Sequence, residues 1–222
     1  MNHIKIYPSI LAADFACLSK EIKRVEKAGA DGIHLDIMDG NFVPNISFGP
    51  PVIKSIRKIT KLPFWAHLMI QHPEKYIKDY KNVGVQGIVF HTEIDFDNRK
   101  LASAIHKEGM EAGISINPET DVEDIFDCIT SIERVLIMTV HPGFGGQSFI
   151  SETANKIPVV KSKAEELDHT IEIEIDGGVN KNNAGEIVKK GANILVAGSS
   201  IFKTDNYMQA LNDIKRNAEK QL

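Results

Sequence analysis

Glu26-Lys27-Ala28-Gly29-Ala30-Asp31-Gly32-Ile33-His34-Leu35-Asp36-Ile37-Met38-Asp39-Gly40 contains the pattern that organises the whole chain. A charged amphipathic stretch ends at Gly29, a residue type that supplies the left-handed turn closing a helix. A near-continuous apolar run at 33–37 follows. Such runs are expected of strands buried on both faces in a parallel sheet. The same order recurs at Asn82-Val83-Gly84 before 87–90, at Lys107-Glu108-Gly109 before 112–116 and at Lys189-Lys190-Gly191 before 194–197. Extended along the chain, it predicts strands over 4–8, 33–37, 64–68, 87–90, 112–116, 134–139, 171–175 and 193–197. Helical patterns fall near 18–28, 50–58, 73–82, 97–108, 121–130, 151–167, 181–190 and 206–220. Alternating βα units with no composition break or long linker predict an α/β fold: a single (β/α)8 TIM barrel as one domain over 1–222. The rival, an open doubly wound sheet, calls for a GxGxxG turn after the first strand. Pro8-Ser9-Ile10-Leu11-Ala12-Ala13-Asp14 stands there instead.

Bulk properties narrow the function classes. A net charge of -4 argues against nucleic acid or an anionic membrane as main partner, so an anionic substrate needs a local cradle. The two cysteines, Cys17 and Cys128, lie far apart without CxxC spacing. A disulfide scaffold and a thiolate zinc site are therefore disfavoured, and a reducing cytoplasm fits. Met1-Asn2-His3-Ile4-Lys5 has neither an apolar signal core nor the Arg/Ser-rich character of a transit peptide. No run approaches the ~20 apolar residues of a membrane span. The expectation is a soluble cytoplasmic protein whose mature form begins here. Both cysteines are expected to be inert, Trp65 to pack in the core or at the barrel bottom, His72 to start a helix, and His3, His106 and His169 to lie at the surface.

The polar residues at strand ends carry the chemistry. Successive side chains of a strand point to opposite faces, so His34 and Asp36 share one face and Ile33, Leu35 and Ile37 the other. A polar pair aimed into a barrel is costly unless satisfied. Two matching pieces stand elsewhere: His67 in Trp65-Ala66-His67-Leu68-Met69, and Asp176 in Ile175-Asp176-Gly177-Gly178. With Ser9, Met69, His91, Asn117, Met138 and Gly198, these sit at C-terminal strand ends, where barrels place their active sites. His34, Asp36, His67 and Asp176 thus make a candidate site for one divalent metal ion per subunit. Nitrogen and oxygen donors suit zinc, iron(II), manganese or cobalt alike. On the His34–Asp36 motif alone, a satisfied core histidine beside a turn aspartate is an equal reading.

Three glycine turns form a second constellation: His141-Pro142-Gly143-Phe144-Gly145-Gly146-Gln147, Asp176-Gly177-Gly178-Val179-Asn180 and Ala197-Gly198-Ser199-Ser200. Glycines let backbone N–H groups surround an anion, and a short helix from Ser199 would add its dipole. No Arg or Lys occurs within these turns, so a phosphate is expected to rely on amides there. The loop at 143–147 is expected to be mobile when empty and ordered when phosphate is bound. Met38, Met69 and Met138 suggest an apolar wall around the reacting centre, or simply core filling. His91, Glu93 and Asn117-Pro118-Glu119-Thr120 are expected to support the strand-end network.

A metal held by carboxylates from opposite sides of the mouth, next to a phosphate cradle, suits proton abstraction beside the ketone of a sugar phosphate. Two Asp residues on opposing faces would invert the carbon. No strand-end lysine is available for a Schiff base, which disfavours aldolase chemistry.

Pro8-Ser9-Ile10-Leu11-Ala12-Ala13-Asp14-Phe15, His34-Leu35-Asp36-Ile37-Met38-Asp39-Gly40-Asn41-Phe42-Val43-Pro44-Asn45, His67-Leu68-Met69, Asn117-Pro118-Glu119-Thr120, Pro142-Gly143-Phe144-Gly145-Gly146-Gln147-Ser148-Phe149, Asp176-Gly177-Gly178-Val179 and Ala197-Gly198-Ser199 together resemble the ribulose-phosphate 3-epimerase family of the pentose phosphate pathway. The resemblance spans nearly the whole chain. It implies interconversion of D-ribulose 5-phosphate and D-xylulose 5-phosphate by a homo-oligomer with a ketopentose 5-phosphate as its small-molecule partner. It carries over Asp36 as proton acceptor and Asp176 as proton donor, both also metal ligands beside His34 and His67. It carries over Ser9, His67, Gly143, Phe144, Gly145, Gly146, Asp176, Gly177, Gly178, Gly198 and Ser199 as substrate contacts. His141 is a departure, since the family more usually has Asn there. Three rivals remain: a sister 3-epimerase acting on a hexulose 6-phosphate, a related decarboxylase or synthase, and an idle sugar-phosphate-binding barrel. The decarboxylases use Asp-x-Lys-x-x-Asp, and Met38 stands at the lysine position.

Overall fold

Short runs rich in Ile, Val and Leu become the eight strands of the computed structural model, which describes residues 4–220. They are β1 (Lys5–Pro8), β2 (Ile33–Met38), β3 (Phe64–Met69), β4 (Gly87–His91), β5 (Glu111–Ile116), β6 (Arg134–Met138), β7 (Glu172–Asp176) and β8 (Ile194–Ala197). Each lies within one residue of its expected bounds at either end. Neighbours pair in parallel in the order β1-β8-β7-β6-β5-β4-β3-β2. The ring closes between β1 and β2 through a parallel bridge of Ser9 with His34, and Asp31 N donates to Ile6 O at 3.0 Å. The barrel reading stands, and the open-sheet alternative is excluded.

Helices return the chain between strands: α1 (Leu18–Lys27), α2 (Pro50–Arg57), α3 (Ile77–Asn82), α4 (Asn98–Lys107), α5 (Lys156–Glu166), α6 (Ala184–Lys190), α7 (Ser199–Phe202) and α8 (Tyr207–Glu219). Three expected helices differ from their sequence pattern, and the one over 151–167 opens as a 3₁₀ turn (Ser151–Asn155) before α5. Over 121–130 the chain forms only 3₁₀ turns, Val122–Ile125 and Ile129–Ser131. Asp121, Glu123, Asp124 and Asp127 would stand three and four apart on a helix, where like charges repel. Over 73–82, Pro73 opens a 3₁₀ turn (Pro73–Lys75), preceded by His72, and α3 begins only at Ile77. His3 lies outside the described residues.

Strand parity divides the core into two layers. Outward-facing Ile33, Leu35, Ile37, Phe64, Ala66 and Leu68 pack with the buried faces of the helices, for example Ile22, Ile53 and Ile56. Full burial of each large apolar side chain among them contributes ~1.5–3 kcal/mol relative to exposure. Inside the barrel, Tyr7, Trp65, Val89, Leu136, Met138, Ile194 and Val196 form a separate cluster. Trp65 fills the lower interior because β4 begins with a glycine. A Cβ on Gly87 would stand 2.6 Å from the indole carbons. Cys128 is buried, Cys17 is half-buried, and both are free thiols. Among the described residues, no helix is long and apolar enough to cross a membrane.

Candidate active site

β2 sends His34, Asp36 and Met38 into the barrel, and the neighbouring β3 sends Trp65, His67 and Met69, with Asp36 and His67 in register. Asp176 arrives from the end of β7. The four expected ligands meet. His34 Nε2 lies 3.3 Å from His67 Nδ1, 3.3 Å from Asp36 Oδ1 and 3.6 Å from Asp176 Oδ2. His67 Nδ1 lies 3.4 Å from Asp36 Oδ1 and 3.8 Å from Asp176 Oδ2. Tetrahedral donors at ~2.0–2.2 Å from a zinc ion would stand ~3.3–3.6 Å from one another. The observed separations fit a single ion at their centre, and among the described residues this is the one cluster of that kind.

Each donor atom except that of Asp176 is aimed by a partner behind it. The Ser9 hydroxyl donates to Asp36 Oδ2, which leaves Oδ1 facing the centre. His34 Nδ1 is 3.0 Å from Glu174 Oε1. His67 Nε2 is 2.8 Å from His91 Nε2, and His91 Nδ1 is 2.9 Å from Glu93 Oε2. Glu93 also accepts from Asn117 N at 2.7 Å and from the Thr120 hydroxyl. With Glu93 accepting from His91 Nδ1–H, His91 Nε2 must accept from His67 Nε2–H. The lone pair of His67 is thereby left on Nδ1, toward the ion position. His91, Glu93, Asn117 and Thr120 act here as the supports the sequence suggested.

The electrostatics set the two carboxylates apart. Burial alone would raise Asp36, but the His34 charge and hydrogen bonds from His34 and His67 hold it well below the usual carboxylate range. Burial, followed by the nearby Asp36 charge, pushes Asp176 up to about 7. Burial lowers His67 to about 4, with the neighbouring His91 and His34 adding to the effect against a hydrogen bond to Asp36. His34 is raised well above the ordinary imidazole range, because Asp36, Glu174 and Asp176 outweigh its desolvation. Two carboxylates driven in opposite directions are a signature of acid and base roles.

Above the cluster, Met38 and Met69 pack with Val43, and Met138 stands on the facing side of the same cavity. The cavity is further lined by Ser9, Asp36, Gly143, Phe144, Gly145, Gly146, Asp176, Gly177, Gly178, Gly198 and Ser199. All the expected substrate contacts except His67, which lies beneath, therefore border one space. Gly177 and Gly178 adopt φ of +125° and +66°, and a Cβ on Gly178 would meet Phe149 N at 2.6 Å. Thr139 Oγ1 holds this turn by donating to Gly177 O at 2.7 Å. Asn45 Nδ2 ties the β2 loop to Gly143 O at 2.7 Å, across the mouth. α7 opens at Ser199, as anticipated, and Gly198 precedes it. His141 is exposed and lies 3.3 Å from Glu119.

Sequence reasoning missed several residues. Glu174 and Arg134 are buried beneath His34. The alternation Glu172-Ile173-Glu174-Ile175-Asp176 was the available signal, since it puts three carboxylates on the inner face of one strand. Lys203 Nζ lies 3.9 Å from where a Gly146 side chain would begin, so the cradle has a cation beside it from outside the three turns. Nothing in the local sequence marks that lysine.

The ribulose-phosphate 3 epimerase family model matches residues 5–202. The chain belongs to that family. It is 44% identical over 213 residues to a ribulose-phosphate 3-epimerase of Bacillus subtilis, covering 96% of this chain and 98% of that one. It is 41% identical to the cytoplasmic isoform of the same enzyme from rice, Oryza sativa, covering 97% of this chain and 94% of the relative. Among solved structures, KGPDC from Streptococcus mutans superposes with a TM-score of 0.79 at 10% identity, with 98% of each chain covered. At that identity the likeness shows the barrel fold alone. Family membership places the chain with the epimerases, enzymes of the isomerase class.

Proposed function

We propose that this chain works as a single barrel domain that interconverts D-ribulose 5-phosphate and D-xylulose 5-phosphate, with one divalent ion in each subunit. The observation that carries the reading is the convergence of His34 Nε2, Asp36 Oδ1, His67 Nδ1 and Asp176 Oδ2 at the mouth of a barrel of this family. A divalent ion held there would supply positive charge to stabilise the negative charge that develops on the substrate oxygens. Zinc, iron(II), manganese and cobalt all suit the donors.

The proton steps belong to the two carboxylates. Asp36, held ionised, takes the C3 proton on Oδ2, the oxygen that also accepts from Ser9. Asp176, which reaches the mouth from β7 while Asp36 comes from β2, returns a proton from Oδ1 to the opposite face, which inverts the carbon. Met38, Met69 and Met138 exclude water from the reacting carbon. Backbone amides at 145–146, 177–178 and 198–199 hold the phosphate, with Lys203 adding charge at its edge. The inward residue two after Asp36 is Met38, not a lysine, which speaks against decarboxylase chemistry at this mouth. Cysteine usage supports a cytoplasmic setting and the net charge speaks against a nucleic-acid or anionic-membrane partner, while the homo-oligomer is what the family resemblance implies.

The test is to incubate metal-replete protein with ribulose 5-phosphate in deuterated water. The expected product is xylulose 5-phosphate carrying deuterium at C3. Unchanged substrate with a full complement of metal would overturn the proposal. Faster turnover of allulose 6-phosphate would move it to the hexulose enzyme.

A further inference from the structure

Below the metal centre the barrel interior carries a guanidinium where such folds usually stack apolar side chains. Arg134 is 1% exposed and lies against the Trp65 indole, 3.4 Å from the ring centroid. Its Nη1 donates to Glu174 Oε2 at 2.9 Å and its Nη2 to Glu172 Oε2 at 2.7 Å, and Glu172 pairs further with Lys5. Nε of Arg134 has no hydrogen-bond partner among the described residues. Buried ion pairs lose hydration that apolar residues of equal volume would not, so stability gives no reason for this arrangement. The geometry offers another. Glu174 is fully buried, and its two oxygens are divided: Oε2 is engaged by Arg134, and Oε1 faces His34 Nδ1 at 3.0 Å.

We propose that Arg134 and Glu174 are positioning residues for the metal centre, clamping His34 in the tautomer that presents the Nε2 lone pair to the ion. The inference rests on the metal-site reading above. His67, the other imidazole ligand, is aimed by a separate line through His91 and Glu93. The Arg134–Glu174 clamp therefore acts on one ring of the two.

That asymmetry makes the test specific. In Glu174→Gln, Arg134 claims the amide oxygen, so the amide NH2 faces His34 Nδ1 and favours the tautomer whose Nε2 cannot bind a metal. The measurement is zinc affinity of the full-length protein by chelator competition, with the imidazole ¹⁵N signals of the zinc-loaded protein as a second readout. Glu174→Gln is expected to weaken zinc binding about 10–100-fold and to alter the His34 signals while His67 keeps its own. Adding Arg134→Met to Glu174→Gln frees the amide to turn its oxygen toward His34, so part of the affinity should return. A merely structural role would make the double variant worse than either single one. Wild-type zinc affinity in Glu174→Gln, or His34 and His67 signals shifting together, would overturn the inference. Should the double variant not fold, Glu174→Gln alone still decides it through both readouts. A wild-type protein that binds no zinc would overturn the metal reading and this inference together, whereas intact zinc binding without epimerisation would overturn only the proposed activity.

Discussion

The two halves of the barrel mouth are built on opposite principles. The half proposed to hold the metal uses buried side chains, three of them braced from behind by a hydrogen-bond partner: Ser9 for Asp36, Glu174 for His34, His91 for His67. The half proposed to hold the phosphate presents backbone, brought close by glycine turns at 143–146, 177–178 and 198, with Lys203 as a nearby cation. The difference follows from the ligands. A small ion at ~2.0–2.2 Å demands donors fixed to within tenths of an ångström. A phosphate presents several oxygens over a wider shell and is well served by a curved row of N–H groups.

The comparison breaks first at the carboxylates. Asp36→Asn or Asp176→Asn should nearly abolish epimerisation, since the proton-transfer part alone is typically ~10²–10⁴-fold and a metal ligand is weakened as well. Near-native turnover with normal metal content in Asp176→Asn would show that the opposite-face mechanism is wrong.

The phosphate half is tested by two glycines that differ in their surroundings. A Cβ at Gly198 meets only ordinary contact, with Ala12 at 3.4 Å. The first atom of a new side chain is therefore accommodated in the empty protein. Gly198→Leu should raise KM roughly 10–100-fold, as for lost hydrogen bonds to a charged group, with zinc content and melting temperature unchanged. Loss of metal instead would erase the boundary between the halves. Gly178→Leu is a poorer probe, because its φ of +66° and its 2.6 Å approach to Phe149 N would disturb the turn itself.

A third expectation concerns pH and the metal half alone. In the empty site His34 is raised above its ordinary value and Asp176 stands at about 7, so both hold protons at mildly acid pH that an ion must displace. Metal affinity should rise as pH passes through about 7, where Asp176 gives up its proton, and go on rising until His34 is deprotonated as well. A pH-independent zinc affinity in chelator competition would contradict the ionisation assigned to the pair.

The smallest effect is expected at Lys203. It is exposed, so Lys203→Ala should raise KM only a few-fold, roughly 2–5-fold, and the difference should fade at high salt. A loss as large as that of Gly198→Leu would mean that the phosphate half relies on charge after all.

The strands and the polar residues at their ends were legible because both rest on local periodicity. Parity alone placed His34 and Asp36 on one face, and the helix-Gly-strand rhythm marked where β2, β4, β5 and β8 begin. The segment 121–130 was misread because its apolar spacing is helical while its clustered carboxylates disfavour a helix. Trp65 was legible as interior packing, but the space that admits it comes from Gly87 on the adjacent strand.

By itself the sequence determined the barrel, from helical and strand patterns alternating along the chain, and the metal-ligand and glycine-cradle candidates, from parity within single strands and composition within single turns. Tertiary structure alone decided which nitrogen each histidine offers. His34 presents Nε2 because Glu174, 140 positions away in the chain, occupies its Nδ1. His67 presents Nδ1 because His91, on the next strand, occupies its Nε2. An imidazole has two nearly equivalent nitrogens, and only the partner packed against one of them selects the other.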